Sequence, residues 1–359
     1  MPPRPGFNIV FLGCGAIADV HSRILRRSHP GLRRFYASRC PERAAGFERR
    51  LGGSGSYGRY EAALADGRMD VAVIATPPSC HLALALAALR NGMDVIVEKP
   101  AFLRAADCER AAAAAAQAGR RLFVAENYAY KPLASVLQAV VASGEIGELR
   151  FVHLNAVKRQ EARGWRGRPE EAGGGALFEG GIHWIDLAAH LGPEVRGAHG
   201  FRCSPAGQPE RSSVLVLEYE GGAVATLFHS WEIGSPLRGL RLSRIYGTAG
   251  AVAFESNGLF VAVHGRRRRL LLPGLRDIDG RRAMWADFVE ALATGREPLM
   301  TLARARRGLE LLAIAEARED AGLPRKGERL DDHPDDRAGR RPAGGRPHLD
   351  VGDVQGQPV

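Results

Sequence analysis

One glycine-rich turn constrains the fold more than any other feature of the chain. The apolar segment Asn8–Leu12 predicts a strand and runs directly into Gly13-Cys14-Gly15-Ala16-Ile17-Ala18, where a helical pattern begins. In this context Gly13 allows a tight turn, Gly15 lets the backbone approach a pyrophosphate, and Ala18 permits close packing of helix on strand. Ala16 and Ile17 open the helix whose N-terminus holds the anion. The turn therefore predicts a dinucleotide-binding Rossmann domain.

The chain shows two different secondary-structure patterns along its length. Strand and helix patterns alternate up to about residue 125, which indicates a parallel sheet with crossover helices. From residue 149 onward, short alternating β-type runs separated by turn residues predict a large, mostly antiparallel sheet, interrupted by one helix near 174–191. We therefore expect an α/β protein with an N-terminal Rossmann domain (1–126) and an α+β substrate and oligomerisation domain (127–323), whose last helices can pack back on the first domain. The tail, 324–359, is rich in Pro, Gly, Asp and Arg and is predicted to be disordered.

Composition narrows the function classes. The 359 residues suffice for two domains. The chain has no apolar run near the ~20 residues of a membrane span and no apolar core of a signal peptide at its start, so we expect a cytoplasmic protein. Five scattered cysteines form no C-x-x-C pair, which predicts neither disulfides nor a metal site. The net charge is +10, but the arginines are dispersed and no nucleic-acid motif is present, so an anionic small ligand fits better than a nucleic acid.

Lys99 is the strongest candidate for chemistry. Only four of the 50 basic residues are lysine, and Lys99 directly follows an apolar strand pattern in Glu98-Lys99-Pro100. Ligands of open α/β sheets bind beyond the carboxyl ends of the strands. A desolvated lysine can exchange a proton near neutral pH, whereas an arginine cannot. The alternative is a solvated lysine that merely ends a strand. The Lys99–Pro100 peptide is predicted to be cis.

The end of the second strand predicts cofactor choice. An acidic residue there would bind the ribose hydroxyls of NAD, but the chain has Ser38 and Arg39, with Arg43 one turn later. A hydroxyl and two guanidinium groups suit the 2′-phosphate of NADP. NAD remains possible, since Arg39 could instead be a solvated side chain. A later turn, Thr76-Pro77, would place backbone against the cofactor, and His81 beyond it is either a further contact or only a helix-start histidine.

The stretch from Gly173 to Asp186 is the most distinctive one. On a helix, Glu179, His183 and Asp186 would share one face, and the glycines at 180 and 181 suggest that something packs very close. One interpretation is a catalytic His183. The other is a core histidine held by a structural hydrogen bond to Asp186.

Together these residues resemble the family of glucose–fructose oxidoreductase, myo-inositol dehydrogenase and the rhizopine-catabolism dehydrogenases (Gfo/Idh/MocA). The resemblance covers roughly residues 7–323. It depends on motifs in the right order, namely the glycine turn, A-T-P-P, E-K-P, A-E-N-Y at 125–128, G-W-R at 164–166, and G-G-G-A-L…G-I-H-x-x-D.

The resemblance implies an NAD(P)-dependent dehydrogenase or reductase for a sugar-, inositol- or polyol-like substrate, with a homodimer or homotetramer formed through the second sheet. It implies that Lys99 contacts both the reacting hydroxyl and the nicotinamide ribose of the cofactor, and that His183 is the general acid/base. Glu179, where the inositol-dehydrogenase branch has aspartate, would steady His183 or shape the substrate pocket. The remaining implied contacts are to cofactor at Glu98, Asn127, Trp165 and Arg166, and to substrate at Tyr128.

Two rival functions remain open. The chain could be a nucleotide-sensing regulator without turnover, although its retention of Lys99 and His183 argues against this. It could also be an enzyme whose tightly bound cofactor is recycled, as in the glycosidase-like members of the family.

Overall fold

The structure is a computed structural model that describes residues 6–205, 209–235 and 239–321. The predicted tail at 324–359 lies outside the described residues. None of the described helices is long and apolar enough to cross a membrane.

The first sheet is the parallel sheet that the sequence predicts. Its described strands are β1 (Asn8–Leu12), β2 (Arg33–Ala37), β3 (Gly55–Tyr57), β4 (Val71–Ile74), β5 (Asp94–Glu98) and β6 (Leu122–Ala125). They lie in the order β3-β2-β1-β4-β5-β6, and every neighbouring pair is parallel. The order reverses between β1 and β4, and a crevice beyond the carboxyl ends of such a pair is where dinucleotides bind.

The helices of this half have local sequence reasons. They are α1 (Ala16–Ser28), α2 (Pro41–Leu51), α3 (Tyr60–Ala65), α4 (His81–Arg90) and α5 (Ala105–Ala118). Helix α1 buries residues at helical spacing, from Ala18 to Leu25. Helix α2 begins at a proline in the first turn and ends at Gly52, whose left-handed conformation (φ 64°) suits a helix C-terminus.

The second sheet is large and mixed. Its described strands are β7 (Leu149–Val157), β8 (Val195–Arg202), β9 (Ser212–Tyr219), β10 (Val224–Ser230), β11 (Leu242–Gly247), β12 (Gly250–Glu255), β13 (Val261–His264) and β14 (Arg268–Leu271). The order is β14-β13-β12-β11-β7-β10-β9-β8. Among the described strands of this second sheet, only the β7–β10 pair is parallel. Buried residues alternate along β7 and β10, so one face of the sheet is covered.

The remaining helices cover that sheet and return to the first one. They are α6 (Pro132–Ala142), α7 (Pro169–Ala172), α8 (Ile182–Ala189), α9 (Arg281–Thr294) and α10 (Leu302–Ala321). Helix α9 packs back on the Rossmann half, since Trp285 donates to His21 Nδ1 over 2.9 Å and Arg121 donates to the carbonyl of Ala291 over 2.7 Å. Helix α9 is therefore one of the last helices that pack back on the Rossmann domain.

Three details differ from the expectation. The single helix expected near 174–191 is a π-helical turn over Leu177–Gly181 followed by α8. Strands β3 and β14 were not predicted from the sequence. Strand β3 has only three residues, and β14 lies in an arginine-rich run, so neither carries an apolar alternation.

Candidate active site

The glycine turn leaves an open cradle at the start of α1. Gly13 has φ +108°, and a Cβ there would lie 2.5 Å from the carbonyl oxygen of Ala75, so only glycine fits. At Gly15 a Cβ would meet no atom within 4 Å, which means that its outer side faces empty space. No side chain caps the first turn of α1. Its free N–H groups are therefore available to an anion such as a pyrophosphate.

A cavity of about 450 Å³ extends from this cradle along the end of β2, and we call it the cofactor end. It is lined by Gly13, Gly15, Ser38, Arg39, Arg43, Thr76 and Pro77, together with Trp165 and other residues. Arg39 and Arg43 are exposed, and neither has a carboxylate within 4.0 Å in the described part of the chain. Two guanidinium groups without a carboxylate partner thus line the cavity beside Ser38.

The Thr76 hydroxyl supports occupancy of this region by a polar group. Its Oγ1 atom is buried and has no hydrogen-bond partner among the described residues. A buried hydroxyl without a partner is unfavourable, and Thr76 borders the cofactor end and the neighbouring cavity alike. The free helix N-terminus, the two arginines without a carboxylate partner and this hydroxyl together fit a dinucleotide.

Two predicted cofactor contacts do not line either cavity. Ala18 is fully buried and serves the packing of α1 on the sheet. His81 is also buried, and its ring lies between backbone oxygens, with Nε2 2.9 Å from the carbonyl of Thr76 and Nδ1 3.0 Å from that of Pro100. The expectation that His81 touches cofactor is therefore wrong, because the ring is used to hold the β4 and β5 turns together.

A second cavity, of about 320 Å³, continues from the same turn, and we call it the reacting end. It brings together residues far apart in sequence that the sequence analysis singled out. Its lining includes Gly15, Ala16, Ile17, Thr76, Glu98, Lys99, Asn127, Trp165, Arg166, Glu179 and His183. Because Gly15, Thr76 and Trp165 border both cavities, the two ends adjoin around these residues.

Lys99 enters the reacting end from the carboxyl end of β5. The Lys99–Pro100 peptide is cis. The Lys99 ammonium donates to the carbonyl of Glu179 over 2.9 Å and lies 3.2 Å from its carboxylate Oε1. The ammonium is thus held by two oxygens of one residue, with its remaining donor free for a ligand.

Glu179 lies between two cations. Its carboxylate also accepts from Arg166 Nη2 over 2.9 Å. Burial acts to raise the pKa of Glu179, but the charges of Lys99 and Arg166 outweigh it and lower the pKa to about 2. Glu179 is therefore an ionised anchor for Lys99 and Arg166. No hydrogen bond joins Glu179 to His183 among the described residues, so Glu179 acts on the imidazole only through its charge, which opposes the lowering of the His183 pKa.

The partner of His183 is Glu126. The two oxygens of the Glu126 carboxylate lie 2.6 and 2.7 Å from His183 Nδ1, and Glu126 is buried. An ionised carboxylate can only accept, so Nδ1 donates and Nε2 carries the free lone pair. Burial lowers the pKa of His183, and the charge of Lys99 adds to this, while Glu126 opposes it.

Asp186 is not a partner of His183 either. Its carboxylate is held by Arg304, with both contacts at 2.7 Å. His183 and Asp186 both lie in α8, but His183 lines the reacting end and contacts Glu126, whereas Asp186 contacts α10 through Arg304. The alternative of a core histidine paired with Asp186 is therefore wrong.

Tyr128 supports the imidazole from the side. The Tyr128 ring stacks on the His183 ring, with ring centres 4.4 Å apart. The ammonium of the buried Lys131 lies 4.3 Å from the centre of the Tyr128 ring. Burial is the main cause that lowers the pKa of Lys131 to about 8. The implied role of Tyr128 as a substrate contact remains a prediction. Among the described residues its ring is observed against His183, Trp184 and Lys131.

A buried hydrogen-bond chain fixes the strand end that carries Lys99. Glu98 contacts His21 Nε2 at 2.5 Å, and His21 Nδ1 accepts from Trp285. The other Glu98 oxygen accepts from the backbone N–H of Lys99 over 3.1 Å. Glu98 therefore lines the reacting end and also ties it to α1 and α9.

Glu126 is the functional residue that sequence reasoning missed. It belongs to the A-E-N-Y motif and directly follows β6, the strand beside the one that carries Lys99. An acidic residue at the carboxyl end of that neighbouring strand was the available signal. No group of three or more metal-ligating side chains occurs in the described residues.

Family models match both halves of the chain. An oxidoreductase family with an NAD-binding Rossmann fold matches residues 7–126, and the GFO/IDH/MocA C-terminal domain matches residues 135–253. The chain belongs to the Gfo/Idh/MocA family. A similar member is inositol 2-dehydrogenase 2 of Saccharopolyspora erythraea, 30% identical over 69% of this chain and 73% of that protein.

Other proteins match over different spans. The putative UDP-kanosamine synthase oxidoreductase subunit of Amycolatopsis mediterranei is 36% identical, but the match spans 36% of this chain and only 37% of that protein. Among solved structures, the aldose-aldose oxidoreductase of Caulobacter crescentus superposes with a TM-score of 0.78 at 22% identity, covering 89% of this chain and 98% of that one. At this identity the superposition supports the fold alone.

Proposed function

We propose that the protein is an NADP-preferring dehydrogenase or reductase that acts on a hydroxyl or keto carbon of a sugar-, inositol- or polyol-like substrate. The observation that carries the proposal is the reacting end itself. Lys99 and a neutral, oriented His183 line one cavity that adjoins the nucleotide turn. Membership in the Gfo/Idh/MocA family and the name of the inositol 2-dehydrogenase relative agree with this reaction class.

His183 is the general acid/base in this proposal. Because Glu126 holds the Nδ1 proton, the lone pair at Nε2 is the site that takes the hydroxyl proton in oxidation and returns it in reduction. Lowering of the His183 pKa from its usual value of 6.5 keeps the ring neutral at pH 7. Glu126 is a positioning residue, and it also stabilises the imidazolium that forms when the proton arrives.

Lys99 binds the reacting oxygen. Its ammonium is held by Glu179 and can donate to an alkoxide as that charge develops, which is the electrostatic contribution that often dominates catalysis. The bound nicotinamide would accept or supply the hydride. Trp165 borders both cavities and Arg166 lines the reacting end, and we propose that they hold the cofactor close to Lys99.

The preference for NADP rests on charge at the cofactor end. Arg39 and Arg43 have no carboxylate partner within 4.0 Å in the described ranges, and the residues at the end of β2 are Ser38 and Arg39 rather than an acid that would bind an NAD ribose. Glu171 also lines the cavity, but its carboxylate is paired with Arg168 over 2.9 Å. The 2′-phosphate of NADP would be bound by these arginines and by the Ser38 hydroxyl.

A cofactor-coupled absorbance screen tests the function. Purified protein is offered polyols, aldoses, inositols and keto-sugars, with NAD and NADP compared side by side. We expect turnover of at least one compound and a higher kcat/KM for NADP. Tight NADP binding without turnover of any compound would instead indicate the nucleotide-sensing regulator, and cofactor that survives dialysis and recycles would indicate the glycosidase-like chemistry.

We further propose that the protein assembles through the open face of the second sheet, as a homodimer or homotetramer. Large apolar side chains are exposed on its strands, including Phe151 (60%), Phe228 (40%) and Tyr246 (39%). Such a patch marks an interaction site. Light scattering should give a mass above 38.7 kDa, and Phe151→Glu should lower it. A monomeric native protein would contradict this assembly.

A further inference from the structure

Two basic side chains lie at one edge of the second sheet. Lys158 follows β7, and its N–H donates to the carbonyl of Ser230 at the end of β10, over 2.9 Å. Arg241 precedes β11, and its carbonyl accepts from Ser256 after β12, over 2.8 Å. Since β7 is parallel to β10 and antiparallel to β11, both residues lie at the same edge.

The strand alternation directs both side chains toward the covered face. In β7 the buried positions are Val152, Leu154 and Ala156, so Lys158 continues that row. In β11 the buried Ser243 and Ile245 share the parity of Arg241.

The same face meets the turn that carries Glu179. Buried positions alternate in β10 up to His229, and a Cβ on Gly180 would lie 3.1 Å from His229 Nε2 and 3.4 Å from Trp231 Nε1. Trp231 Nε1 is itself buried without a hydrogen-bond partner among the described residues. The sheet edge thus adjoins the wall of the reacting end.

Neither cation is neutralised by a carboxylate. Arg241 is only 8% exposed, and within the described ranges its side chain has one hydrogen-bond partner, Asn257 Oδ1. No carboxylate lies within 4.0 Å of Arg241 or of the solvent-accessible Lys158 in those ranges. Glu179, in contrast, is already shared by two cations. A buried guanidinium without a carboxylate is costly unless a ligand supplies the negative charge.

Lys158 interacts electrostatically with charged residues of the reacting end. Partial desolvation lowers the pKa of Lys158 and the charge of Arg241 lowers it further, whereas at the reacting end Glu179 raises it and Lys99 lowers it. Burial also lowers the pKa of His229 to about 3, and Lys158 adds to that effect. An excess of positive charge in such a cleft attracts anions.

We propose that the substrate carries an anionic group, a carboxylate or a phosphate, that binds Lys158 and Arg241 while its reacting hydroxyl lies at Lys99 and His183. This inference deepens the proposed function and rests on it. The planar fork of Arg241 suits two oxygens of one anionic group, and Lys158 supplies an adaptable point charge. The expected substrates are therefore sugar acids or sugar phosphates rather than neutral polyols.

The test measures binding to NADPH-saturated protein by isothermal titration, with D-glucuronate, D-glucose 6-phosphate and D-glucose as probes. At least one anion should bind about tenfold more tightly than D-glucose. Lys158→Gln and Arg241→Gln should each reduce that preference, and added salt should weaken it. Arg159→Gln is the matched control, because it removes the adjacent exposed cation and should leave the preference unchanged. Which anion binds distinguishes carboxylate from phosphate recognition.

The outcomes separate this inference from the proposed function. Lys158-dependent anion binding without any hydride transfer would support the anionic substrate and contradict the dehydrogenase proposal. Turnover of neutral sugars, with no preference for the charged probes in binding, would support the dehydrogenase and overturn the inference. Failure of both anions to bind at millimolar concentration, or an equal loss in Arg159→Gln, would also overturn it.

Discussion

The basic side chains at the two ends of the cleft differ in whether a carboxylate partner holds them. At the cofactor end, Arg39 and Arg43 are exposed and have no carboxylate partner in the described ranges, so their charge is offered to a ligand. At the reacting end, Lys99 and Arg166 are held by the buried Glu179. The first arrangement favours binding of an anion, and the second favours fixed orientation of groups that act on a reacting atom.

The largest expected effect comes from removing the groups at the reacting end. His183→Ala and Lys99→Met should each lower kcat by about 10²–10⁴-fold, the range for a positioned acid/base. The double variant should lose little more than the worse single variant, because both act on one transition state. NADP affinity, measured by fluorescence, should change little in His183→Ala.

A histidine outside the cleft provides the control for that experiment. His190 caps the end of α8, and His190→Ala should keep near-native kcat. Near-native kcat in His183→Ala would remove this residue from the mechanism and leave the stack on Tyr128 as its role.

A smaller effect is expected from the positioning carboxylate. Glu126→Gln removes the charge that orients His183 and opposes the lowering of its pKa. We expect kcat/KM to fall by about 10–100-fold, as for the partner of a functional histidine. The acid limb of the pH profile for oxidation lies below 6.5 in the native protein, because the base must be neutral, and it should move to still lower pH in Glu126→Gln.

The pH profile distinguishes positioning from simple support of the fold. Glu126→Asp keeps the charge and should restore the acid limb, even where kcat remains reduced by the shorter reach. An acid limb that stays in place in Glu126→Gln would contradict the assigned partnership.

Substitutions at the cofactor end should change the preference between NADP and NAD rather than kcat. Ser38→Asp combined with Arg39→Ala replaces an anion site with a ribose-binding acid, so preference should change from NADP to NAD by about tenfold or more, at least 1.4 kcal/mol. The measurement is kcat/KM for both cofactors. Arg33→Ala, at the opposite end of β2, is the control and should leave the preference as it is. A native protein that prefers NAD tenfold would refute the charge argument.

The difference between the two ends also explains what the sequence could predict. The cofactor end is built from short segments that directly follow strands, so Gly13, Ser38 and Thr76 could be identified from local pattern alone. The reacting end depends on which distant side chains meet. The partnership of His183 with Glu126, 57 residues away, cannot be read from spacing along one helix. His183 and Asp186 do lie three residues apart on α8, but Arg304, 118 residues from Asp186, holds the Asp186 carboxylate, and spacing along the chain does not reveal that contact.

The smallest predicted effect compares one glycine from each half of the molecule. Gly46 lies inside α2, and a Cβ there would meet no atom within 4 Å. Gly46→Ala should therefore stabilise the protein by about 0.5–1 kcal/mol, because alanine loses less backbone entropy in a helix. At Gly180 the added Cβ would lie 3.1 Å from His229 Nε2, on a strand that cannot easily withdraw.

Gly180→Ala should not give the stabilisation expected for Gly46→Ala. The added Cβ would displace His229, and the cost of that displacement opposes the improved helix propensity. Thermal unfolding should show a melting temperature raised by about 2 °C for Gly46→Ala, and one unchanged or lowered for Gly180→Ala. Only the Gly180 variant should also lose kcat, because the backbone carbonyl of the preceding residue, Glu179, holds the Lys99 ammonium. Equal stabilisation of both variants with full activity would contradict this prediction. It would mean that close packing of the π-helical turn against the sheet does not fix the position of Lys99. The two ends of the cleft would then differ only in how their cations are paired.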